Sequence, residues 1–592
     1  MREHESKTKK GKTIGRRGFL KTVPAAVAAG LAAPALAQQA QQGPQNRFAK
    51  DALKCGEQVA GVGFTDAEED MMLSGVNRNL TSYETLRKLE VPQDVEPPLT
   101  FRPYPPGKRP KPGVRQKIQQ YATPAPTIRV SQSSLEELAF LPVTTLARLI
   151  QSRQVSSTDL TKMYLARLKR YGDKEHLQCV VTLTEELALH QAAKADKDIR
   201  EGKYRGPLHG IPWGAKDLFA TKDIRTTWGA KPYENQVIDL DATVVERLRE
   251  AGAVLVAKLS MGALAMGGEW YGGSTKNPWN VARSSSGSSA GPAAATAAGL
   301  VGFGVGTETR GSIISPCSTC GVVGLRPTYG RISRYGAMCL SWTMDKVGPI
   351  CRAVEDCALV LNALYGPDGK DDSVVDAPFV WNPAERLSKL KIAYVKTEFE
   401  GQPNATAPNM TEERRKQVEA QRKIMTDALD VFRTLGVKLE PIALPEFPSN
   451  ALNFILNTEA AAAFDDLTRT KGIDQLTAQG PGDWPNTFRT SRFVPAVDYL
   501  RAQRARTLLI RKMEELMHKC DVFLSPTGSS SLGITNLTGH PAMCLKAGFP
   551  VENQPVALMI TGRLYDEATV LRVGFAFEQA TKWASMHPKI GA

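Results

Sequence analysis

Between residue 140 and the C-terminus, segments whose apolar residues have helical spacing alternate with short, continuous apolar runs. In the segment 157–171, Leu160, Tyr164 and Leu168 recur every four residues, which predicts an amphipathic helix. Short apolar runs between the helical segments are typical of buried strands. Helices are predicted at 144–154, 157–171, 184–201, 242–251, 292–298, 411–435 and 567–584, and strands at 179–183, 253–257, 301–305, 322–325, 391–395, 437–439 and 521–524. This alternation predicts an α/β fold in which helices cover a sheet.

The body of this fold is predicted to be one large domain, residues 134–592, preceded by an extension, residues 38–133. Within the body, the more polar and irregular residues 398–500 are predicted to form a cap over the functional site. The extension is predicted to hold a disordered leader (38–50), two short helices that start at the capping boxes of Thr65–Glu68 and Thr81–Glu84, and a proline-rich strap (92–126).

The first 37 residues resemble a twin-arginine export signal. A basic segment contains Arg16-Arg17 and Phe19-Leu20-Lys21, an apolar run starts at Val23, and Ala35-Leu36-Ala37 provides an A-x-A cleavage site. The expected partner during export is the twin-arginine translocation machinery. We expect a periplasmic protein without a stable membrane span after cleavage, or a membrane-tethered one if the signal is retained.

Removal of this signal lowers the net charge from +14 to about +8. The remaining basic residues are scattered, so nucleic-acid binding is not expected, because it needs a basic face or stripe. The nine cysteines are irregularly spaced and are expected to be mostly buried free thiols. Cys317-x-x-Cys320 has no second pair nearby and the seven histidines are scattered, so we expect no metal site and no cofactor.

Residues 284–316 contain two turns rich in serine, threonine and glycine. An isolated stretch of this composition is typical of a flexible linker, but here an alanine-rich helical run and an apolar run separate the turns. Serines in such turns are candidate nucleophiles beside backbone N–H donors. The segment 287–291 also fits G-x-S-x-G with Ser289 at its centre and His540 or His587 as the histidine. That motif requires a preceding strand, and 280–286 is polar and unlike a strand.

A lysine-activated serine is the second chemical route. Lys216 follows the apolar segment 209–215, whose burial would favour the neutral amine, which can act as a general base. A surface lysine or a structural partner of Asp217 is the alternative interpretation.

Several blocks occur in the order and spacing that resemble the amidase signature family. They are Gly210-Ile211-Pro212…Lys216-Asp217, Asp241–Val254, Asn277-Pro278-Trp279-Asn280, the serine/glycine turn, Gly306–Ile313 and Gly321–Thr328, with a weaker echo at Asp521–Thr527 and Asn536–Pro541. The likeness spans residues 135–585. It implies a mixed β-sheet with helices on both faces and the hydrolysis of a small-molecule carboxylic amide without a cofactor.

The resemblance also implies a Ser–cis-Ser–Lys triad. Ser312 would be the nucleophile, Ser288 the bridging serine and Lys216 the base. The backbone N–H groups of Thr309, Arg310, Gly311 and Ser312 would form the oxyanion hole, and Ser289 and Thr307 would support the site or cap its turns.

The sequence departs from the family pattern at five positions without removing a catalytic group. Arg310 stands where glycine is usual, so its side chain must point away from the pocket. The other departures are Ser286 and Ala290 in place of glycine, Glu308 in place of aspartate, and Ile314 in place of a frequent arginine.

Two rival functions remain at this point. One is the glutaminase subunit of a tRNA-dependent amidotransferase, against which the export signal argues. The other is a catalytically silent binding protein on the same fold, against which the joint presence of Lys216, Ser288 and Ser312 argues. A homodimer is compatible with the sequence.

Overall fold

The computed structural model describes residues 47–60, 66, 69–70, 101, 103–104, 132–400, 411–480, 482–492 and 494–590. The chain divides into two units, residues 1–90 and 91–592. In the first unit, helix α1 (Lys50–Ala60) starts at the end of the segment expected to be a disordered leader, and no helix was predicted there. The export signal, most of both capping boxes and most of the proline-rich strap lie outside the described residues.

The second unit is built on an eleven-stranded mixed sheet with the order β1-β3-β2-β8-β10-β9-β14-β15-β13-β11-β12. Strand β2 is parallel to both of its neighbours, β3 and β8, and β11 is parallel to both of its neighbours, β12 and β13. The other neighbouring strands of this sheet are antiparallel. These strands are β1 (Val180–Leu183), β2 (Pro212–Lys216), β3 (Val254–Leu259), β8 (Phe303–Glu308), β9 (Val323–Arg326), β10 (Lys346–Cys351), β11 (Ile392–Val395), β12 (Glu440–Ile442), β13 (Val522–Pro526), β14 (Ala542–Val551) and β15 (Gln554–Gly562). The predicted α/β fold is therefore confirmed.

Two small hairpins accompany the sheet. They pair β4 (Glu269–Trp270) with β5 (Gly273–Ser274), and β6 (Lys276–Asn277) with β7 (Asn280–Ser284).

Helices flank the sheet and bury apolar stripes against it. Helix α3 (Ser157–Tyr171) has the predicted bounds: the Ser156 hydroxyl accepts from the Asp159 N–H at 2.9 Å at its start, and Gly172 follows its end. The other helices are α2 (Val143–Gln151), α4 (Glu185–Arg200), α5 (Thr243–Glu250), α6 (Ala290–Ala297), α7 (Ile314–Cys320), α8 (Val354–Leu364), α9 (Lys396–Glu400), α10 (Glu412–Thr434), α11 (Phe454–Ala463), α12 (Asp465–Arg469), α13 (Trp484–Ser491), α14 (Ala496–Met517), α15 (Ser530–Thr538) and α16 (Glu567–Gln579).

Several sequence-based predictions were wrong in detail. The strand expected at 437–439 forms three residues later as β12, and the helix expected at 567–584 ends at Gln579. The segment 398–500 was expected to be irregular apart from the helix predicted at 411–435, but its described residues after 435 also form α11, α12, α13 and the start of α14.

The thiols largely follow the prediction. All nine cysteines lie in the described residues; seven are buried, whereas Cys55 is exposed and Cys339 is half-buried. None of the described helices is both long enough and apolar enough to cross a lipid bilayer.

Candidate active site

Lys216 occupies the last position of β2, a strand whose five residues are all buried between β3 and β8. Its side chain has no exposed surface, and its Nζ lies 2.8 Å from Ser288 Oγ and 2.9 Å from Thr307 Oγ1. Burial lowers the pKa of Lys216 to about 7, although the charges of Asp345 and Glu308 partly oppose the shift. A substantial fraction of this amine is therefore neutral near neutral pH.

Ser288 reaches Lys216 from a turn that follows the β6–β7 hairpin. The segment expected to be unlike a strand does form one, β7, but its residues are mostly exposed and it lies outside the main sheet. The Gly287–Ser288 peptide bond is cis. A side chain at position 287 would collide with the carbonyl oxygen of Gly267, so glycine is required where the turn packs this closely.

Ser312 lies in the second turn, between the end of β8 and the start of α7. Gly311 has φ +130°, a conformation that favours glycine. The two turns are joined by a hydrogen bond from the Ser289 N–H to the Ser312 carbonyl at 3.0 Å. Within the described part of the chain, the N–H groups of Arg310, Gly311 and Ser312 have no hydrogen-bond acceptor. These three N–H groups are therefore candidate donors for a substrate oxygen.

Ser289 and Thr307 hold the two turns together. Ser289 Oγ donates to the Thr307 carbonyl at 3.0 Å and accepts from the Thr307 N–H at 3.2 Å. The histidines that the G-x-S-x-G motif needs lie elsewhere: His540 contacts Thr538 and His587 stacks on Phe140. The geometry therefore gives no support to Ser289 as a nucleophile.

Glu308 fixes the turn that carries Ser312. Its carboxylate is fully buried, and Oε2 accepts from the N–H groups of Ile313 and Ile314, each at 2.8 Å. Its Oε1 accepts from Arg326 and Asn536, each at 2.8 Å. The pKa of Glu308 is lowered, because Arg326 and these hydrogen bonds outweigh the effect of burial.

Comparison with known proteins identifies the family. Residues 159–533 match the sequence model of the family described as Amidase. The chain belongs to the amidase signature family.

The chain is similar to amidotransferase subunits and to a peptide amidase. The chain is 32% identical over 504 residues to a Glutamyl-tRNA(Gln) amidotransferase subunit from Thermoanaerobacter pseudethanolicus, covering 77% of this chain and 99% of that protein. It is 36% identical to the corresponding subunit from Geobacillus stearothermophilus (75% and 98% covered). The native peptide amidase of Stenotrophomonas maltophilia superposes with a TM-score of 0.65 at 27% identity, covering 77% of this chain and all of that one.

The departures of this amidase-family chain from the common pattern are accommodated locally. Arg310, where glycine is usual, is exposed. Ile314, where arginine is frequent, is fully buried at the start of α7.

Asp345 is a buried neighbour of this amidase site that sequence reasoning missed. Its carboxylate accepts from Thr309 Oγ1 at 2.5 Å and from the N–H groups of Leu340 and Ser341, and so ties the Ser312 turn to the start of β10. The available signal was the charged pair Asp345-Lys346 directly before the apolar run of β10.

Asp217, the other candidate partner of Lys216, is turned to a different lysine. Its Oδ1 lies 3.2 Å from Lys258 Nζ, and its Oδ2 accepts from the N–H and the hydroxyl of Thr227 at 2.9 and 2.5 Å. The side chains of Asp217 and Lys258 are both fully buried. The expectation that Asp217 could be the structural partner of Lys216 was therefore wrong.

Proposed function

We propose that this chain hydrolyses a carboxylic amide C–N bond through an acyl-enzyme on Ser312. The observation that carries the proposal is the buried Lys216 amine, whose Nζ lies 2.8 Å from Ser288 Oγ and whose pKa is lowered to about 7. A lysine with the usual pKa of about 10.4 is protonated at neutral pH and cannot accept a proton. Desolvation makes the neutral base accessible there.

In the acylation step, Ser312 Oγ attacks the carbonyl carbon while its proton passes to Ser288 Oγ and the Ser288 proton passes to Lys216 Nζ. The carbonyl oxygen becomes an oxyanion, and the N–H groups of Arg310, Gly311 and Ser312, with that of Thr309, are its proposed donors. The tetrahedral intermediate then breaks its C–N bond. The proton returns from Lys216 through Ser288 to the leaving amine.

Deacylation repeats the sequence with water in place of Ser312. The relay removes a proton from the water as it attacks the ester carbon, and the proton returns to Ser312 as the acid leaves. Glu308, Asp345, Ser289 and Thr307 hold the donors and the relay in place.

The decisive experiment is mass-spectrometric capture of the acyl adduct during hydrolysis of a panel of aliphatic and aryl amides and esters. We expect the adduct on the peptide that contains Ser312, and a loss of at least ~10³ in kcat for Ser312→Ala. Ser318→Ala is the matched control, because Ser318 lies on α7 with its hydroxyl 2.9 Å from Thr527 Oγ1. An adduct on Ser289 would overturn the assignment of the nucleophile.

The second candidate function is that of a glutaminase subunit in an amidotransferase, which the names of relatives 32% to 36% identical favour. Purified chain that hydrolyses simple amides without added protein supports the free-standing enzyme. Activity confined to glutamine and dependent on added partner proteins supports the amidotransferase role. Absence of hydrolysis and of an adduct under both conditions supports a catalytically silent binding protein.

We also propose export to the periplasm, on the basis of Arg16-Arg17 and the Ala35–Ala37 cleavage site. Fractionation of cells should place the chain in the periplasm with a new N-terminus at Gln38. Replacement of Arg16 and Arg17 by lysine should retain it inside the cell. Export of this double variant at the normal level would contradict the proposal.

A further inference from the structure

A cavity of about 360 Å³ lies between residues 263–269 and residues 476–478 and 483–485. This volume is in the range of small-molecule sites. Its apolar wall is formed by Met266, Leu476, Trp484 and Pro485, and its polar lining includes Glu269 and Asp483.

The cavity lies directly against the turn that carries Ser288. Two of its lining residues, Gly267 and Gly268, pack against the backbone of that turn at Ser286 and Gly287. A Cβ at Gly287 would collide with the Gly267 carbonyl, and one at Gly268 would come within 2.7 Å of the Ser286 carbonyl oxygen. The cavity therefore lies beside the backbone of the turn that carries Ser288, one of the proposed relay residues.

Trp484 makes the apolar wall rigid. Its indole is 5% exposed, and its Nε1 donates to the Leu264 carbonyl at 2.9 Å. Its ring stacks on Phe488 with centroids 4.9 Å apart, and Phe488 stacks in turn on Phe464. A wall held in this way presents an aromatic side chain to the cavity without a conformational cost.

Both charged residues that line the cavity, Glu269 and Asp483, are acidic. Glu269 is exposed and Asp483 is half-buried, with its Oδ2 accepting from the Gly480 N–H at 2.6 Å. Among the described residues that line the cavity there is no lysine or arginine. Two carboxylates and an aromatic ring attract an organic cation and repel an anion.

We propose that this recess selects amides whose acyl part joins a short apolar chain to an ammonium or guanidinium group. This inference rests on the proposed function. The apolar chain packs against Met266 and Trp484, and the cation lies near Glu269 and Asp483.

The test is the kcat/KM of the full-length enzyme for three amides of similar length: 6-aminohexanamide, heptanamide and 5-carbamoylpentanoate. We expect the cationic amide to exceed the neutral one by about 10-fold, with the anionic amide slowest and the preference reduced by added salt. Equal values for the cationic and neutral amides, or a preference for the anion, would overturn the inference.

Variants sharpen the assignment to this recess. Glu269→Gln with Asp483→Asn should lower the ratio of cationic to neutral kcat/KM toward one, whereas Glu419→Gln, an exposed carboxylate on α10, should leave the ratio unchanged. Because each ratio is measured on one protein sample, partial unfolding does not change it. An unchanged ratio in the double variant would exclude this recess as the source of the preference.

Different results overturn the proposed hydrolytic function and the proposed selectivity for cationic amides. Hydrolysis of all three amides without charge preference overturns only the selectivity. Failure to hydrolyse any of them, with no acyl adduct on Ser312, overturns both.

Discussion

Two lysines at the ends of neighbouring strands have the same burial and different partners. Lys216 ends β2 and Lys258 lies in β3, where it pairs in register with Ala215. Neither side chain has exposed surface, and desolvation lowers the pKa of both. Lys216 Nζ contacts the hydroxyls of Ser288 and Thr307, whereas Lys258 Nζ lies 3.2 Å from the carboxylate of Asp217.

The difference shows that a partner decides what a buried amine can do. A carboxylate at ion-pair distance favours the charged form, so Lys258 serves as an anchor between β3 and the segment that follows β2. Lys258 also contacts the Thr226 hydroxyl at 2.6 Å, so the carboxylate is what distinguishes the two lysines. Among the described residues, Lys216 has no carboxylate at this distance, and burial lowers its pKa to about 7 although the charges of Asp345 and Glu308 oppose the shift. The proposed base is therefore partly neutral near neutral pH. Four measurements test this contrast.

Replacement of Lys216 by methionine should give the largest effect, a fall in kcat of at least ~10³ with the fold retained. The methionine fills a similar volume and removes a buried amine. Measurement of kcat together with thermal unfolding checks both parts. A loss of kcat that is explained by unfolding would contradict the role of Lys216 as a base.

Replacement of Lys258 by methionine should instead act on stability, lowering the free energy of unfolding by about 3–5 kcal/mol, because the Asp217 charge is left buried without its partner. Urea unfolding measures the change. Lys258→Met combined with Asp217→Asn should recover part of the loss. If the single variant is as stable as the wild type, Lys258 is not the anchor that the contacts indicate.

Replacement of Thr307 by valine should lower kcat about 10-fold, since it removes the hydroxyl 2.9 Å from Lys216 Nζ and leaves a buried donor unpaired. Steady-state kinetics measures the effect. Thr319→Val is the matched control, because Thr319 lies on α7 and contacts Asn277 through its carbonyl, which the substitution retains. Equal kcat in the wild type and Thr307→Val would show that the hydroxyl does not support the amine.

The smallest effect is expected in the pH profile. The neutral amine is the active form, so kcat/KM should fall as the pH decreases through about 7, where Lys216 becomes protonated. The Asp345 charge raises the pKa of Lys216, so Asp345→Asn should move this limb to lower pH. Profiles recorded between about pH 5 and 9 measure the shift, and movement to higher pH would contradict it.

A local signal predicted helix α3 with both of its ends. The signal was the recurrence of Leu160, Tyr164 and Leu168 every four residues, and these three side chains are buried. The approach of Lys216 to Ser288 followed from the family resemblance, since they are 72 positions apart in the sequence.

Structures that depend on distant partners or on exposed backbone were not predicted. Strand β7 is mostly exposed, and its two apolar residues, Val281 and Ala282, are adjacent, so it has no apolar alternation that would predict a strand. The carboxylate of Glu308 accepts hydrogen bonds from Arg326 and Asn536, which are 18 and 228 positions away in the sequence. Nothing near Glu308 in the sequence indicates that these three side chains meet.

The recess beside Ser288 draws its two walls from separate parts of the chain. One wall, residues 263–269, follows β3, and the other is formed by residues 476–478 and 483–485. The hydrogen bond from Trp484 Nε1 to the Leu264 carbonyl joins the two walls across 220 positions of the sequence. Under the proposed selectivity, exchange of the segment 476–485 between relatives should therefore alter which amides are accepted while Lys216, Ser288 and Ser312 are retained.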